Sequence, residues 1–528
     1  MRDDWLVRSF VRHRLPPEVG AAIAPELDEL GARASGPLWD FQRADRLNEP
    51  RLTTFDAWGN RIDRIELTPL WHEAERLTAH YGLTAHPQER GHGDWSRVHQ
   101  FLLVHLFHPV TDVYTCPLAM TDGAARTLLA AGNQALIDRA VPRLTSRDPA
   151  RFWTSGQWMT EATGGSDVGL SQTRAELRDG VWRLHGKKWF TSAATSQMAL
   201  TLARPEGNGK GGGGLALFYV ETRDADGQLN GIRVERLKDK LGTRKVPTAE
   251  LTLDDTVAHL VAGTTHGTRS IEPMLRVTRT WNSVCAASFL RHGLGLAEDY
   301  AAKRRAFGAA LAAQPLHRAT LDDLDAESAG AFLLAFLLVE LLGREEGGDL
   351  DAAGAALLRL LTPVAKATTG KQAVAVASEL IEAFGGAGYV EDTGIPVLLR
   401  DSQVLPIWEG TTNVLSLDLL LRADLDQGLT ALRQRVLRAV TAAADGELRA
   451  AGLASVAAVD HALAWHRGTG DPAARQRGAR HFTLTLGRAL ELALLVEHAT
   501  ALVGTSDEQP ARQACLGFQR LGIDSLRD

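Results

Sequence analysis

The pattern of apolar and polar positions changes several times along the chain. Between residues 96 and 140, Leu, Val, Ala and Phe recur at helix-like intervals with few β-branched runs, so the first third is predicted to be mostly helical. After Trp158 the pattern becomes alternating. Residues 173–184 place an Asp179-Gly180 turn between two extended runs, which predicts a β-hairpin.

Further alternating runs predict a compact β domain of roughly a hundred residues. The additional strands are predicted at residues 200–205, 215–221, 231–237 and 249–253. The glycine-rich run at residues 207–214 lacks the helix and the hydroxyl residue of a phosphate loop, so it is interpreted as a flexible hairpin loop.

Helical periodicity returns at about Ile271 and predicts a bundle, followed after Arg422 by a further helical extension. The prediction is therefore an α+β multidomain protein. Its segments are an N-terminal helical domain (1–155), a β-barrel-like middle domain (156–268), a helical bundle (269–422) and a C-terminal helical extension (423–528). This order differs from the strand–helix alternation of a doubly wound dehydrogenase.

Composition narrows the class of protein. With 528 residues, 45% of them hydrophobic, the chain can bury a large core, and the formal charge of -6 does not indicate a nucleic-acid or membrane-surface binder. The N-terminus has no continuous apolar core, and the apolar run at 331–343 is too short to span a bilayer. We therefore expect a cytoplasmic protein with no membrane partner. Its three separated cysteines are expected to be reduced and structural.

The first candidate constellation is Gln-Trp-Met-Thr-Glu-Ala-Thr-Gly-Gly-Ser-Asp-Val-Gly at residues 157–169. Small and hydroxyl residues at the entry to a β domain suit a flavin, whose ring needs apolar faces with hydrogen-bond donors near its redox edge. A turn between domains is the alternative for Gly-Gly-Ser-Asp alone.

The second constellation is His-Gly-Lys-Lys-Trp-Phe-Thr-Ser at residues 185–192. It offers an aromatic face, Trp189, and two hydroxyls, Thr191 and Ser192, that suit one flavin edge. Alternatively, Trp189 is a core aromatic of the β domain.

The third constellation places a carboxylate, Glu409, between Trp408 and Gly410. Removal of a proton next to a thioester carbonyl requires a carboxylate whose pKa rises when the substrate expels water. Glu409 is a candidate for that base, and a solvated surface glutamate is the alternative.

Together, Met-Thr-Glu with Gly-Gly-Ser-Asp, Lys-Trp-Phe-Thr-Ser and Trp-Glu-Gly-Thr, in this order, resemble the acyl-CoA dehydrogenase family. Residues 304–308, Arg-Arg-Ala-Phe-Gly, and residues 383–389, Ala-Phe-Gly-Gly-Ala-Gly-Tyr, resemble two further family segments, and the resemblance runs from about residue 96 to 422. The long N-terminal lead, the Leu-Lys-Asp-Lys-Leu-Gly segment, Trp408 and the C-terminal extension are similar to the AidB branch, flavoproteins of the alkylation-damage response.

The resemblance implies the acyl-CoA dehydrogenase fold with an extra C-terminal helical domain, bound FAD and a homotetramer. The residues it assigns to the flavin within the subunit are Met159, Thr160, Ser166, Trp189, Thr191, Thr411 and Asn413. Those that match positions reaching a neighbouring subunit's FAD are Arg304, Phe307 and Gln314, with the turn from Gly385 and Gly386 to Gly388, and Glu382 is a further assigned flavin position. Glu382 stands where a Gln is frequent, and Gln314 is one residue closer to Phe307 than in the family pattern.

By the same resemblance, Glu409 would remove the α-proton of an acyl thioester while the flavin accepts a hydride from the β-carbon, and Arg279 would lie near the base. The bulk of Trp408 predicts short or branched acyl chains. The acyl group, the thioester carrier and the electron acceptor remain open.

Two other functions remain as alternatives to the dehydrogenase. One is an AidB-like DNA-binding flavoprotein with weak or no turnover, for which the dense basic stretch at residues 475–481 is the sequence feature, although a solvated helix face explains it too. The other is an oxygen-using relative, against which a Glu base argues.

Overall fold

The computed structural model describes residues 4–422 and 424–526; the predicted domain boundary after residue 422 falls on residue 423, outside the described residues. The described helices, in chain order, are α1 Trp5–Arg14, α2 Pro17–Ala34, α3 Pro37–Ala44, α4 Pro69–Tyr81, α5 His86–Glu89, α6 Ser96–Phe107, α7 Thr115–Ala131, α8 Gln134–Leu144, α9 Gly267–Ser270, α10 Glu272–Lys303, α11 Pro315–Gly347, α12 Ala352–Ala383, α13 Gly386–Tyr389, α14 Ile395–Ser402, α15 Thr412–Arg422, α16 Leu425–Ala442, α17 Gly446–Gly468, α18 Pro472–Ala501 and α19 Glu508–Arg520.

The described strands are also numbered in chain order. They are β1 Arg51–Phe55, β2 Arg61–Glu66, β3 Ser155–Trp158, β4 Arg174–Arg178, β5 Val181–Thr191, β6 Met198–Pro205, β7 Ala216–Glu221, β8 Ile232–Leu237, β9 Ala249–Leu260, β10 Arg305–Ala306 and β11 Ala309–Ala310. The predicted order of helices, β domain and helices is confirmed, as is the hairpin around Asp179-Gly180, where β4 and β5 pair antiparallel.

One element of the first third was not predicted. Strands β1 and β2 form an antiparallel hairpin inside the otherwise helical N-terminal part. Its partly buried side chains Leu52 and Ile65 pack against the core of the β domain. The hairpin therefore adds an apolar face to that domain, which explains why strands occur here.

The described chain forms two compact units. The helical unit comprises the N-terminal segment up to Gly36, Arg90–Pro109 and the chain from Asn282 onward. The β-domain unit comprises Pro37–Glu89 and Val110–Trp281. Residues 1–155, predicted as one N-terminal domain, thus contribute segments to both units.

In the β-domain unit the sheet closes on itself. Strands β6, β4, β5, β9 and β7 pair in that order, and β7 pairs again with β6. Closure removes exposed strand edges, while β3 adds to β6 and β8 adds to β9. Inward-facing side chains such as Leu184, Phe218 and Leu251 fill the core.

In the helical unit, long apolar helices pack on one another, with α11 against α12, α18 and α19. Helix α11 is long and apolar enough to cross a membrane by length and composition, yet 94% of its most apolar window is buried within the protein. The prediction of a buried helix at residues 331–343 is confirmed. Polar caps delimit these helices: the Asp351 side chain accepts from Gly354 N at the start of α12.

Candidate active site

The first predicted flavin segment begins where β3 ends. Met159 and Thr160 are half-buried, and Ser166 is exposed on the loop that follows. The Thr160 carbonyl accepts a hydrogen bond from Trp189 N at 2.9 Å, so the first and second constellations are adjacent in the β-domain unit. A Cβ on Gly165 would come within 2.6 Å of the Thr160 hydroxyl oxygen, which explains the glycine at this position.

A buried ion pair anchors this loop. Glu161 is 4% exposed and Lys188 is fully buried, and Lys188 Nζ donates to Glu161 Oε1 and to the Leu202 carbonyl, both at 2.8 Å. Glu161 also accepts from Gln172 N at 2.6 Å and from the Thr173 hydroxyl at 2.6 Å. Burial alone would raise the pKa of Glu161, but the charge of Lys188 and these hydrogen bonds hold it below its usual range.

Sequence reasoning missed this pair, although a signal was present. Side chains of a strand alternate between its two faces, so two consecutive lysines in β5 cannot both point to solvent. Lys187 is exposed and Lys188 is buried. A buried lysine requires a carboxylate partner, and Glu161 of the first constellation is that partner.

The second constellation supplies an aromatic face and a buried hydroxyl. Trp189 is half-buried, and Lys238 Nζ lies 3.5 Å from its ring centroid, a cation–π contact that the sequence did not reveal. Thr191 is fully buried, and its hydroxyl donates to the Ala249 carbonyl at 2.5 Å. Its oxygen lone pairs remain available to accept a hydrogen bond.

The segment after β8 supports these residues from one side. Lys240 Nζ donates to the carbonyls of Thr243 and Val246, both at 2.7 Å, and to the Thr248 hydroxyl at 2.9 Å. The Thr248 hydroxyl in turn lies 3.2 Å from that of Ser192. The Leu-Lys-Asp-Lys-Leu-Gly segment is therefore fixed next to the predicted flavin residues.

The residues of the β-domain unit fit a flavin. Met159 supplies a thioether, Trp189 an aromatic face and Thr160 a hydroxyl, and all three residues are half-buried neighbours. They offer the flavin ring apolar contact beside a polar atom. The glycine-containing loop that ends at Ser166 is exposed and carries backbone and hydroxyl donors, which suit a pyrophosphate.

The predicted base lies in the helical unit, on the turn between α14 and α15. Glu409 is half-buried and adopts a left-handed backbone conformation, with φ of 57°, followed by Gly410 with φ of 103°. This conformation is unfavourable for a glutamate and persists only where the surrounding structure enforces it, a property common at functional sites.

Helix α12 holds this turn at two points. Lys366 is fully buried, and its Nζ donates to the Gly410 carbonyl at 2.6 Å. One turn later, a Cβ on Gly370 would lie 3.2 Å from the Leu405 carbonyl oxygen, so the chain approaches the helix closely there. These two contacts fix the backbone on both sides of Glu409.

Two predicted flavin residues that follow the base, Thr411 and Asn413, are exposed at the surface of the helical unit. Thr411 is exposed, and its hydroxyl accepts from Val414 N at 3.3 Å at the start of α15, so it caps that helix; Asn413 is exposed beside it. Arg279 is half-buried on α10, in the part of that helix that belongs to the β-domain unit.

The residues predicted to reach a neighbouring subunit lie on two turns. Phe307 is 99% exposed at the tip of the β10–β11 hairpin, near exposed Arg304, and the Gln314 amide donates to the Ala306 carbonyl at 3.1 Å. At the second turn, Glu382, Gly385 and Gly386 are exposed, and Gly385 has φ of 59°. The exposed side chains of Arg304 and Phe307 are accessible to another subunit, and the tetramer remains a prediction.

Comparisons with known proteins identify the family. Family models match residues 2–149 (adaptive response protein AidB N-terminal domain), 156–256 (acyl-CoA dehydrogenase, middle domain) and 265–423 (acyl-CoA dehydrogenase, C-terminal domain). Acyl-CoA dehydrogenase family member 11 of Caenorhabditis elegans is 40% identical over 534 residues, which span 97% of this chain and 86% of that protein. The putative acyl-CoA dehydrogenase AidB of Escherichia coli (strain K12) is 34% identical over 394 residues, 72% of this chain and 70% of that protein.

Similarity of fold supports the same family assignment. The crystal structure of Caenorhabditis elegans ACDH-11 in complex with C11-CoA superposes with a TM-score of 0.95 at 39% identity, covering 100% of this chain and 92% of that chain. The predicted fold class and the predicted resemblance are both confirmed. The chain therefore belongs to the acyl-CoA dehydrogenase family, in its AidB-like branch.

Proposed function

We propose that this protein is an FAD-dependent acyl-CoA dehydrogenase that desaturates a short or branched acyl thioester, with Glu409 as the catalytic base. The observation that carries the proposal is the turn of Glu409, where a half-buried carboxylate is kept in a left-handed conformation by Lys366 and Gly370 of one helix. Such a fixed turn aims a carboxylate that would otherwise sample many positions.

Several residues of this chain would have separate roles in proton removal and in flavin binding. Glu409 would take the α-proton of the thioester onto its carboxylate as the general base. Bound FAD supplies hydride acceptance from the β-carbon. Trp189, Met159 and Thr160 orient the ring, and Arg279 is proposed to support the charge of the base.

The range of substrates rests on the residue before the base. Trp408 is half-buried and bulky, which supports short or branched chains in this protein. ACDH-11 of Caenorhabditis elegans was solved with C11-CoA, so the substrate series must extend to that length.

The test is an anaerobic titration of the purified flavoprotein with straight, branched and aromatic acyl-CoAs up to C11, following the absorbance of oxidised flavin. We expect bleaching by at least one thioester, and we expect Glu409→Gln to abolish it while FAD content stays unchanged. Glu379→Gln, an exposed carboxylate of α12, is the matched control and should bleach normally. Absence of bleaching with every thioester would contradict the proposal.

DNA binding has less support from the described side chains. In the basic stretch of α18, Arg475 donates to His466 at 2.9 Å and Arg477 lies 3.7 Å from Asp471. These contacts engage two of its arginines within the protein. If no thioester bleaches the flavin, binding to a DNA duplex that weakens steeply as salt is raised would favour that function instead.

A further inference from the structure

A cavity of about 330 Å³ lies in the helical unit, and its lining contains none of the residues assigned to the flavin or to the base. It is formed by the end of α1, the last turns of α11, the first turns of α12 and one face of α16. We call it the arginine pocket, and its lining residues are Arg14, Leu337, Glu340, Leu341, Arg344, Asp351, Ala353, Gly354, Leu357, Ala431, Gln434, Arg435 and Arg438.

The pocket has an apolar floor and a cationic rim. The buried side chains of Leu337, Leu341 and Leu357 belong to the floor, whereas Arg344 and Arg438 are exposed. Four arginines line the pocket against two carboxylates, which leaves an excess of positive charge around a concave surface. A concave surface with low-dielectric walls concentrates such a potential.

The two carboxylates of the lining are already engaged. Glu340 receives two hydrogen bonds from Arg14, at 2.7 and 2.6 Å, and Asp351 caps α12 by accepting from Gly354 N at 2.7 Å. The hydrogen bond from Gly354 N leaves the charge of Asp351 in place. Four arginines against Glu340, Asp351 and Glu497, the partner of Arg435, therefore leave one positive charge in excess.

The remaining arginines retain donors for a ligand. Arg435 pairs with Glu497, and Arg344 donates to the Asp349 carbonyl at 3.0 Å. Arg438 lies one helical turn after Arg435. It makes no hydrogen bond or ion pair with any of the residues that the structure describes. A guanidinium has five N–H donors, so Arg344 and Arg438 each keep donors that no hydrogen bond to a described residue uses.

We propose that the arginine pocket binds a small phosphorylated molecule, with Arg344 and Arg438 on its phosphate and the leucine floor under its organic part. Guanidinium groups match the geometry of phosphate oxygens and can bind them in a bidentate manner. The volume of about 330 Å³ suits a small molecule. The site is distinct from the proposed active site and does not depend on its function.

The test measures binding of pyrophosphate, the probe ligand, by isothermal titration to the full-length protein saturated with FAD, at constant ionic strength set with chloride. Saturation with FAD prevents the probe from entering a flavin site. We expect saturable binding that Arg438→Gln and Arg344→Gln each weaken at least tenfold. Arg433→Gln, on the same helix, paired with Asp460 and outside the pocket, should bind like the wild type.

Three outcomes would overturn the proposal. They are no saturable binding, equal binding in wild type and both pocket variants, and equal weakening in Arg433→Gln. If duplex DNA displaces pyrophosphate whereas a small phosphate ester does not, the ligand is a polynucleotide and the small-molecule proposal is wrong. Flavin bleaching by thioesters should be unchanged in the pocket variants, which separates this result from the proposed function.

Discussion

The two units of the molecule each bury a carboxylate, with opposite consequences. In the β-domain unit, Glu161 is 4% exposed and keeps its charge, because Lys188 and three donor groups surround it. In the helical unit, Glu491 of α18 is completely buried, and burial raises its pKa well above the usual range. Burial alone therefore does not decide the charge of a carboxylate.

The difference lies in the fixed cation. The arginine whose charge acts on Glu491 is Arg488, but its guanidinium is bound to Glu327 by two hydrogen bonds at 3.0 and 2.8 Å. Glu491 receives one neutral donor instead, the Gln372 amide, at 3.1 Å. A neutral donor stabilises the ionised form less than an ammonium does, so the protonated acid is favoured.

The proposed base, Glu409, differs from both of these buried carboxylates. Glu409 is only half-buried, and the residues that fix its turn bind the backbone of Gly410 and approach Leu405. A general base must be able both to take up a proton and to release it, whereas the environments of Glu161 and Glu491 each favour one state. The half-buried carboxylate of Glu409, on a fixed backbone, has neither of those environments.

The largest effect is expected from Lys188→Met, which removes the cation from Glu161 and leaves a buried, unpaired carboxylate. Breaking a buried ion pair from one side costs about 3–5 kcal/mol. We expect a loss of that size in the free energy of unfolding, measured with urea, together with a lower FAD content because the loop of Thr160 and Gly165 loses its anchor. Lys187→Met, the exposed neighbour, is the control and should change neither quantity.

The paired carboxylate also predicts a pH dependence. The folded pKa of Glu161 is lowered, so its stabilisation is fully present above the unfolded pKa of about 4.3 and is lost as pH falls through the folded value. An equal loss of stability in Lys187→Met and Lys188→Met, or a stable Lys188→Met protein at neutral pH, would contradict this account of the pair.

A smaller effect of opposite sign is expected from Glu491→Gln. The folded pKa of Glu491 is raised, so the wild type is most stable below the unfolded pKa, about 4.3, and loses stability as pH rises toward the folded value. Glutamine resembles the protonated acid, so the variant should be more stable than the wild type at neutral pH and lack this slope.

Thermal midpoints measured between pH 4 and pH 8 check the prediction, because this range starts near the unfolded pKa of a glutamate and extends into the region of a raised one. Glu379→Gln on the surface of α12 serves as the control and should follow the wild-type profile. Parallel profiles of wild type and Glu491→Gln would show that Glu491 is ionised in the folded protein.

Local patterns predicted much of this architecture. Alternation and the Asp179-Gly180 turn identified β4 and β5, and the motifs around Thr160, Trp189 and Glu409 identified the candidate site. The β1–β2 hairpin was missed because its neighbours are helical, although its own residues alternate around a turn with Gly59 at φ of 85°. Short alternating runs lose weight when the surrounding stretch has helical periodicity.

Long-range contacts could not be predicted from the same patterns. Lys366 meets the Gly410 carbonyl across 44 positions of sequence, and nothing local to α12 distinguishes this lysine from a solvated one. Gly370 is a similar case, because the local sequence shows only a glycine that destabilises a helix. Its role becomes visible only when the Leu405 backbone is placed against it.

The smallest change in stability is expected from Gly370→Ala. The new Cβ would lie 3.2 Å from the Leu405 carbonyl oxygen, a distance at which the turn before Glu409 must shift by a few tenths of an ångström. Alanine favours a helix over glycine by about 1 kcal/mol, which offsets part of the strain of overpacking, so the free energy of unfolding should change by less than about 1 kcal/mol.

The same substitution should nevertheless slow the proposed reaction, because a displaced base loses its alignment with the α-proton. Misplacement by 1 Å can cost about a hundredfold in rate, so a shift of a few tenths predicts a loss of up to about tenfold in flavin reduction by acyl-CoA. Stopped-flow measurement at saturating thioester checks this, with Gly295→Ala as control, because a Cβ there meets no atom within 4 Å. Equal reduction rates in the two variants would mean that the position of Glu409 does not depend on its contact with α12.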